Sequence, residues 1–251
     1  MLAEPLQALI FDVDGTLADT EQAHMAAFNA AFVQEGLPWQ WDTALYTRLL
    51  EVSGGKERIT HYWRQVQPDL KIIDNAAFVD TVHRIHDQKT AVYERMVNDG
   101  AVTLRPGVLK LIEQAHSDGL QLAIATTTSP VNISALLRFA IGPDWSRFFV
   151  VIEDASTAPR KKPHPQAYLQ TLQRLQMPAT QCLAFEDSGN GLMAATGAGL
   201  ATLITPTRFT AHHDFTGALR VLPDLQGITV AHLRAWHAEA TVRFPQPKKK
   251  S

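Results

Sequence analysis

Apolar residues recur along this chain in two different rhythms. Short unbroken apolar runs at 6–11, 120–125, 148–152, 181–185 and 201–204 have the length and composition of strands buried on both faces. Between the later runs, at 131–139, 165–175 and 191–198, apolar positions return every three or four residues, as on one face of a helix. A further helix starts at Pro106-Gly107 and runs to about residue 117, with Pro and Gly punctuating its entry. Strands that alternate with helices predict a parallel sheet joined by right-handed crossovers, an α/β fold.

One long stretch breaks the alternation. A helix is predicted at 20–34, with Ala23, Ala27, Ala30 and Ala31 as a small-residue packing face and Gly36-Leu37-Pro38 as its stop. Helical patterns follow at 43–50, 56–66 and 75–98, and no strand is predicted between the first helix and residue 100. The pattern reads as an all-helical insertion. Residues 1–18 and 103–251 are therefore expected to form the sheet-bearing core, and 19–102 a helical cap. A last helix is predicted at 227–241, and 245–251, ending in three lysines, has the composition of a frayed tail.

Composition narrows the partner. At 251 residues with a net charge of −2, the chain can bury a sizeable core. It carries no basic stripe interleaved with aromatics, which disfavours nucleic acid and anionic membranes. The single cysteine, Cys182, sits in an apolar run, excludes an internal disulfide framework and suits a reducing compartment. No leader pattern and no membrane-length apolar run is present. A soluble, cytoplasmic monomer acting on a small molecule is expected.

Four polar pieces supply candidate chemistry: Asp12-Val13-Asp14-Gly15-Thr16, Thr126, Lys162 in Lys161-Lys162-Pro163, and Glu186-Asp187-Ser188. A parallel sheet brings such pieces to one edge, where α/β proteins bind ligands. Asp12 and Asp14, two apart at a strand end, can point the same way. Two carboxylates so close call for a hard cation such as Mg²⁺, and the chain has no Cys/His cluster to favour a softer one. With repulsion offset, Asp12 can attack phosphorus while Asp14 gives and takes protons. A polar turn, or a fragment of a calcium loop without its remaining ligands, is the plainer alternative. Thr126 can hold a phosphoryl oxygen, whereas Thr127, Thr128 and Ser129 are equally well explained as a helix N-cap cluster. Lys162, held extended by Pro163, can aim its ammonium at the sheet edge; Lys161 and Arg160 are expected to be exposed. Adjacent residues splay at a strand end, so Asp187 is expected to touch the metal with Glu186 behind it; a capped turn is the alternative.

In this order and spacing the four pieces resemble the motifs of the haloacid-dehalogenase-like phosphatase superfamily over almost the whole chain. The resemblance implies a Rossmann-like core, a helical cap inserted after the first strand, Mg²⁺ and phosphoryl transfer through Asp12. It also implies a metal bound by Asp12, the Asp14 carbonyl and Asp187. Relatives that cleave carbon–halogen bonds have an aromatic residue at the second aspartate, so Asp14 counts against that chemistry. Within the cap, Glu21 and His24 lie three apart on one helical face, and Ser53-Gly54-Gly55-Lys56-Glu57-Arg58 is a glycine loop entering a basic helix start. By themselves these are an ordinary helix face and an interhelical turn. Together with Ala18-Asp19-Thr20-Glu21, the Trp39-x-Trp41-Asp42 stretch, Tyr46 and Ala125-Thr126-Thr127-Thr128-Ser129, they resemble the CbbY-type subgroup, similar to xylulose-1,5-bisphosphate phosphatases. That resemblance implies a sugar bisphosphate substrate, with Glu21, His24, Tyr46, Gly54 and Lys56 in its recognition. Lys56 or Arg58 would hold the second phosphate.

A β-phosphoglucomutase-like isomerase, a phosphoglycolate-type phosphatase and a phosphosugar-binding module without turnover are the competing expectations. The family often has Pro-Asp where this chain has Pro165-Gln166, a loss of helix capping of about 0.5–1 kcal/mol. His212 and His213 are expected at the surface, since neighbouring side chains on a helix diverge.

Overall fold

A computed structural model describes residues 5–68 and 76–243. Six strands, β1 (Ala8–Phe11), β2 (Gln121–Ala125), β3 (Phe149–Glu153), β4 (Cys182–Glu186), β5 (Ala201–Ile204) and β6 (Arg220–Val221), form one sheet in the order β3-β2-β1-β4-β5-β6. Every neighbouring pair is parallel, as the unbroken apolar runs predict. β6 has no such run; two residues at a sheet edge, one of them Arg220, leave no pattern to read.

The helices are α1 (Glu21–Gln34), α2 (Thr43–Leu49), α3 (Gly55–Val66), α4 (Ala76–Asn98), α5 (Val108–Ser117), α6 (Pro130–Ala140), α7 (Gln166–Leu175), α8 (Gly189–Gly197) and α9 (Val230–Arg243). The first five intervene between β1 and β2, the first four of them within the inserted segment. The expected helix start at Asn75 and the tail at 245–251 lie outside the described residues. No described helix is long and apolar enough to cross a membrane.

The sheet sorts its side chains by size. On one face Leu9, Phe11, Leu122, Ile124, Leu183, Phe185 and Leu203 meet α5, α6 and α9. On the other, Ala8, Ile10, Ala123, Ala125, Cys182 and Ala184 let α7 and α8 approach closely. Cys182 is a core residue as expected, fully buried, and burial pushes its thiol up to about 12. The inserted helices have an aromatic cluster of their own, with Phe28, Phe32, Trp39, Trp41 and Tyr46 buried around Ile59, Ile85 and one residue from the sheet side, Phe209.

Polar residues at the helix starts fix the loops that follow the strands. Ser129 accepts from Asn132 N at 3.3 Å with Pro130 as the first helical residue, and Ser188 accepts from Gly191 N at 3.0 Å. At α7 the missing acidic cap is replaced: Gln166 N donates to His164 Nδ1 at 3.1 Å, and Gln166 Oε1 accepts from Arg160 N at 2.8 Å.

Candidate active site

β1 is the switch point of the sheet: the chain winds outward through β2 and β3, then returns to its other side with β4. A crevice opens there at the carboxyl ends of the strands. In register, Phe11 lies beside Ile124 and Phe185, so Asp12, Thr126, Glu186 and Asp187 emerge together. All four line one cavity of about 500 Å³ with Asp14, Lys162, Glu21, His24, Gly54 and Lys56. Of the residues singled out from the sequence, Tyr46 alone does not line it.

At the cavity floor Lys162 Nζ donates to Asp12 Oδ1 at 2.6 Å and to Glu186 Oε1 at 2.5 Å; the Lys162–Pro163 peptide is cis. Tyr168 Oη donates to the same Glu186 oxygen at 2.5 Å, while Glu186 Oε2 is buried without a hydrogen-bond partner. Burial raises Asp12 against the pull of Lys162. Burial likewise brings Glu186 to about 7 despite Lys162, and lifts Asp187 well above the usual carboxylate range, with Asp12 and Glu186 adding repulsion. Asp12, Glu186 and Asp187 each offer a carboxylate oxygen within 4.8 Å of the others. Three buried carboxylates facing one ammonium, with one oxygen unpartnered, make a donor set that fits a hard divalent cation.

The close approach of these carboxylates depends on missing side chains. A Cβ on Gly15, whose φ is +79°, would lie 2.2 Å from Asp187 Oδ2. Arg105 braces this turn from outside the cavity. One of its nitrogens meets the Gly15 and Thr205 carbonyls, and the other donates to the Pro206 and Pro223 carbonyls at 3.0 Å each. Thr210, beyond that second loop, donates to Asp187 Oδ2 at 3.2 Å.

Asp14 turns toward the inserted helices. Its Oδ1 accepts from Thr20 Oγ1 at 2.7 Å and faces His24 Nε2 at 3.0 Å. Burial opposes its ionisation, but His24, Thr20 and Lys89 together hold it below the ordinary carboxylate range. Lys89, buried on α4, lies 2.8 Å from His24 Nδ1. An ammonium can only donate, so His24 Nδ1 accepts and its Nε2–H points to Asp14. Burial pulls Lys89 down to about 8, and the rings of Phe28 and Tyr93 flank it. Lys89, Tyr168 and Arg105 escaped the sequence reading, since a lone residue on a helix or loop gives no signal of a partner 18, 65 or 90 positions away.

The cap residues divide into those that face the cavity and those that hold others in place. Tyr46 is fully buried; its hydroxyl donates to Glu21 Oε2 at 2.8 Å and accepts from Arg58 Nη1 at 3.1 Å. It therefore holds Glu21 in place and does not itself line the cavity. Arg58 also donates to the Leu49 and Val52 carbonyls, so three of its five donors brace the loop, and Lys56 is the freer cation. Lys161 is not the exposed lysine expected: its side chain is 21% accessible, lines the cavity and pairs with Glu57 at 3.0 Å.

His212 is at the surface as expected, and His213 is not. They occupy a turn, their Nε2 atoms 3.6 and 3.2 Å from Glu51 Oε1, and His213 lines the cavity. The trio has the spacing of a metal site. However, His213 Nδ1 accepts from Gly189 N at 3.1 Å, which leaves the ring proton on Nε2, facing Glu51. The pair is close enough for charge attraction, but His213 Nε2 makes no hydrogen bond.

Over residues 6–199 the chain matches the family model described as haloacid dehalogenase-like hydrolase. It is 51% identical to the plasmid protein CbbY of Cupriavidus necator over 248 residues, covering 92% of this chain and 97% of that one. The structure of a CbbY mutant from Rhodobacter sphaeroides in complex with xylulose-(1,5)bisphosphate superposes with a TM-score of 0.83 at 39% identity, over 91% of this chain and 99% of that one. A β-phosphoglucomutase from Clostridium difficile superposes with a TM-score of 0.77 at 19% identity, over 95% and 100%, a likeness of fold.

Proposed function

The chain belongs to the haloacid dehalogenase-like hydrolase family, and from that premise we propose that it removes phosphate from a small phosphosugar. The substrate we favour is a sugar bisphosphate such as xylulose 1,5-bisphosphate, with Mg²⁺ as cofactor and an aspartyl-phosphate intermediate. The observation that carries this reading is the convergence of Asp12, Asp14, Thr126, Lys162 and Asp187 on one cavity. Relatives at 39% identity and above bear the CbbY name, and the phosphoglucomutase likeness is one of fold, which favours hydrolysis over isomerisation.

Lys162 occupies Asp12 Oδ1, leaving Oδ2, whose partner Thr16 Oγ1 is 3.5 Å away, to attack phosphorus. As the Oδ2–phosphorus bond forms, the bond from phosphorus to the sugar oxygen breaks, and that oxygen takes a proton from Asp14. Water then attacks phosphorus, Asp14 takes the water proton, and the Asp12 carboxylate and phosphate are released. Asp14 as held here is an anion, suited to the second half; an arriving phosphate dianion raises its proton affinity for the first. Thr126 and Lys162 hold the transferring oxygens. Mg²⁺, which Asp12, Asp187 and the Asp14 carbonyl would hold, supplies neutralisation of the phosphate charge. The helical segment 19–102 acts as a cap that shields the reaction from bulk water.

The test is phosphate release from xylulose 1,5-bisphosphate, hexose phosphates and phosphoglycolate. Asp12→Asn is expected to cut release by at least about 10³-fold with the melting temperature preserved, and EDTA to abolish it until Mg²⁺ is restored. Activity that survives either treatment overturns the mechanism.

A further inference from the structure

The cavity also carries charge outside the carboxylate cluster of Asp12, Glu186 and Asp187. Gly54, with φ +101°, leaves a hollow at the start of α3. Two charged atoms fill it: a Cβ at Gly54 would lie 2.2 Å from Glu57 Oε2 and 2.5 Å from Lys161 Nζ. These two atoms pair at 3.0 Å across the seam between the inserted helices and the sheet. Lys56 and the ring of His86 line the same cavity, and that ring lies against Gly55. Burial first, and then the ammoniums of Lys89, Lys56 and Lys161, take His86 down to about 3 and keep it uncharged. Glu57, half exposed and at the rim of the cavity, is thus the carboxylate partner of Lys161, with Lys56 on the neighbouring wall.

We infer that the Glu57 carboxylate is a resident counter-ion in the seat for the second phosphate of the substrate, and that Lys161 passes from Glu57 to that phosphate on binding. This rests on the reading of the substrate as a sugar bisphosphate. A phosphate dianion attracts an ammonium about twice as strongly as a carboxylate at equal distance, so exchange of partners is downhill for Lys161. A monophosphate leaves the Glu57–Lys161 pair undisturbed. The pair therefore sets a threshold that a second phosphate crosses and a neutral sugar end does not. Glu57 and Lys161 are specificity residues on this view, acting on binding and not on the bond broken at Asp12.

The two possible roles of the pair predict opposite signs. If Glu57 competes with substrate, Glu57→Gln lowers KM for xylulose 1,5-bisphosphate severalfold, with a smaller change for xylulose 5-phosphate. Lys161→Met raises the bisphosphate KM about tenfold with kcat little altered. In the double variant the Glu57→Gln gain disappears, because the competitor has nothing left to compete for. If the pair only clasps the cap shut, Glu57→Gln raises KM for both substrates alike. That result, equal falls for both, or additive effects in the double variant, overturns the inference. Wild-type protein that turns over neither compound refutes the proposed function instead, so the two failures are told apart.

Discussion

Lys89 shows how one side chain serves the site at the expense of stability. Its ammonium titrates near 8 in the fold against 10.5 in the open chain. Between those values the unfolded chain binds more protons, so stability rises with pH across that window. Below about pH 8 the cost of burying the charge is present in full; above 10.5 it is gone. Lys89→Met is expected to gain about 1–3 kcal/mol at pH 7, after allowing for the lost bond to His24. The gain should shrink toward pH 10.5, as measured by denaturant unfolding at several pH values. The same variant should lose phosphate release, since His24 no longer has a donor fixing its Nε2–H toward Asp14. At this scale the sequence made the reacting groups legible, because Asp12, Asp14, Thr126, Lys162 and Asp187 stand at strand ends or beside Pro. Their supporters were not. Tyr46 and Arg58 read as ligand contacts, and the fold also uses them to brace Glu21 and the Leu49 and Val52 carbonyls, a task no motif announces.

The elements followed from periodicity wherever burial was one-sided or complete. Five strands and nine helices lie where apolar runs and helical spacing place them, and the differences at their described ends are one to three residues. The failures are local. β6 is too short for a pattern, and His212-His213 was judged as helix when the chain turns there, which brings both rings to Glu51. The turn after β1 is the most constrained of the elements. Gly15→Ala must accommodate both a positive φ and a methyl group 2.2 Å from Asp187 Oδ2. The strain alone is about 1–2 kcal/mol. Because relief comes by moving Asp187, activity should fall at least tenfold, more than stability does, and the affinity for Mg²⁺ measured by calorimetry should fall with it.

At the scale of the molecule, Lys56 and Lys161 line the same cavity as Lys162 and the carboxylates but make no contact with them. Lys56→Ala is expected to raise KM for bisphosphates by several-fold and to affect monophosphates less, in steady-state assays of both. A different consequence arises outside the cavity, at Arg105. Its planar fork gathers carbonyls from Gly15, Thr205, Pro206 and Pro223, which belong to three separate stretches of chain. Lysine offers one point of attachment in place of a fork, so Arg105→Lys would untie loops that carry Gly15 on one side and lead to Thr210 and His213 on the other. In a kinetic screen such a variant would masquerade as damage to the catalytic pocket, several-fold slower with substrate contacts intact. Inherited or engineered changes at that distant position are thus a hidden route by which this enzyme can be weakened.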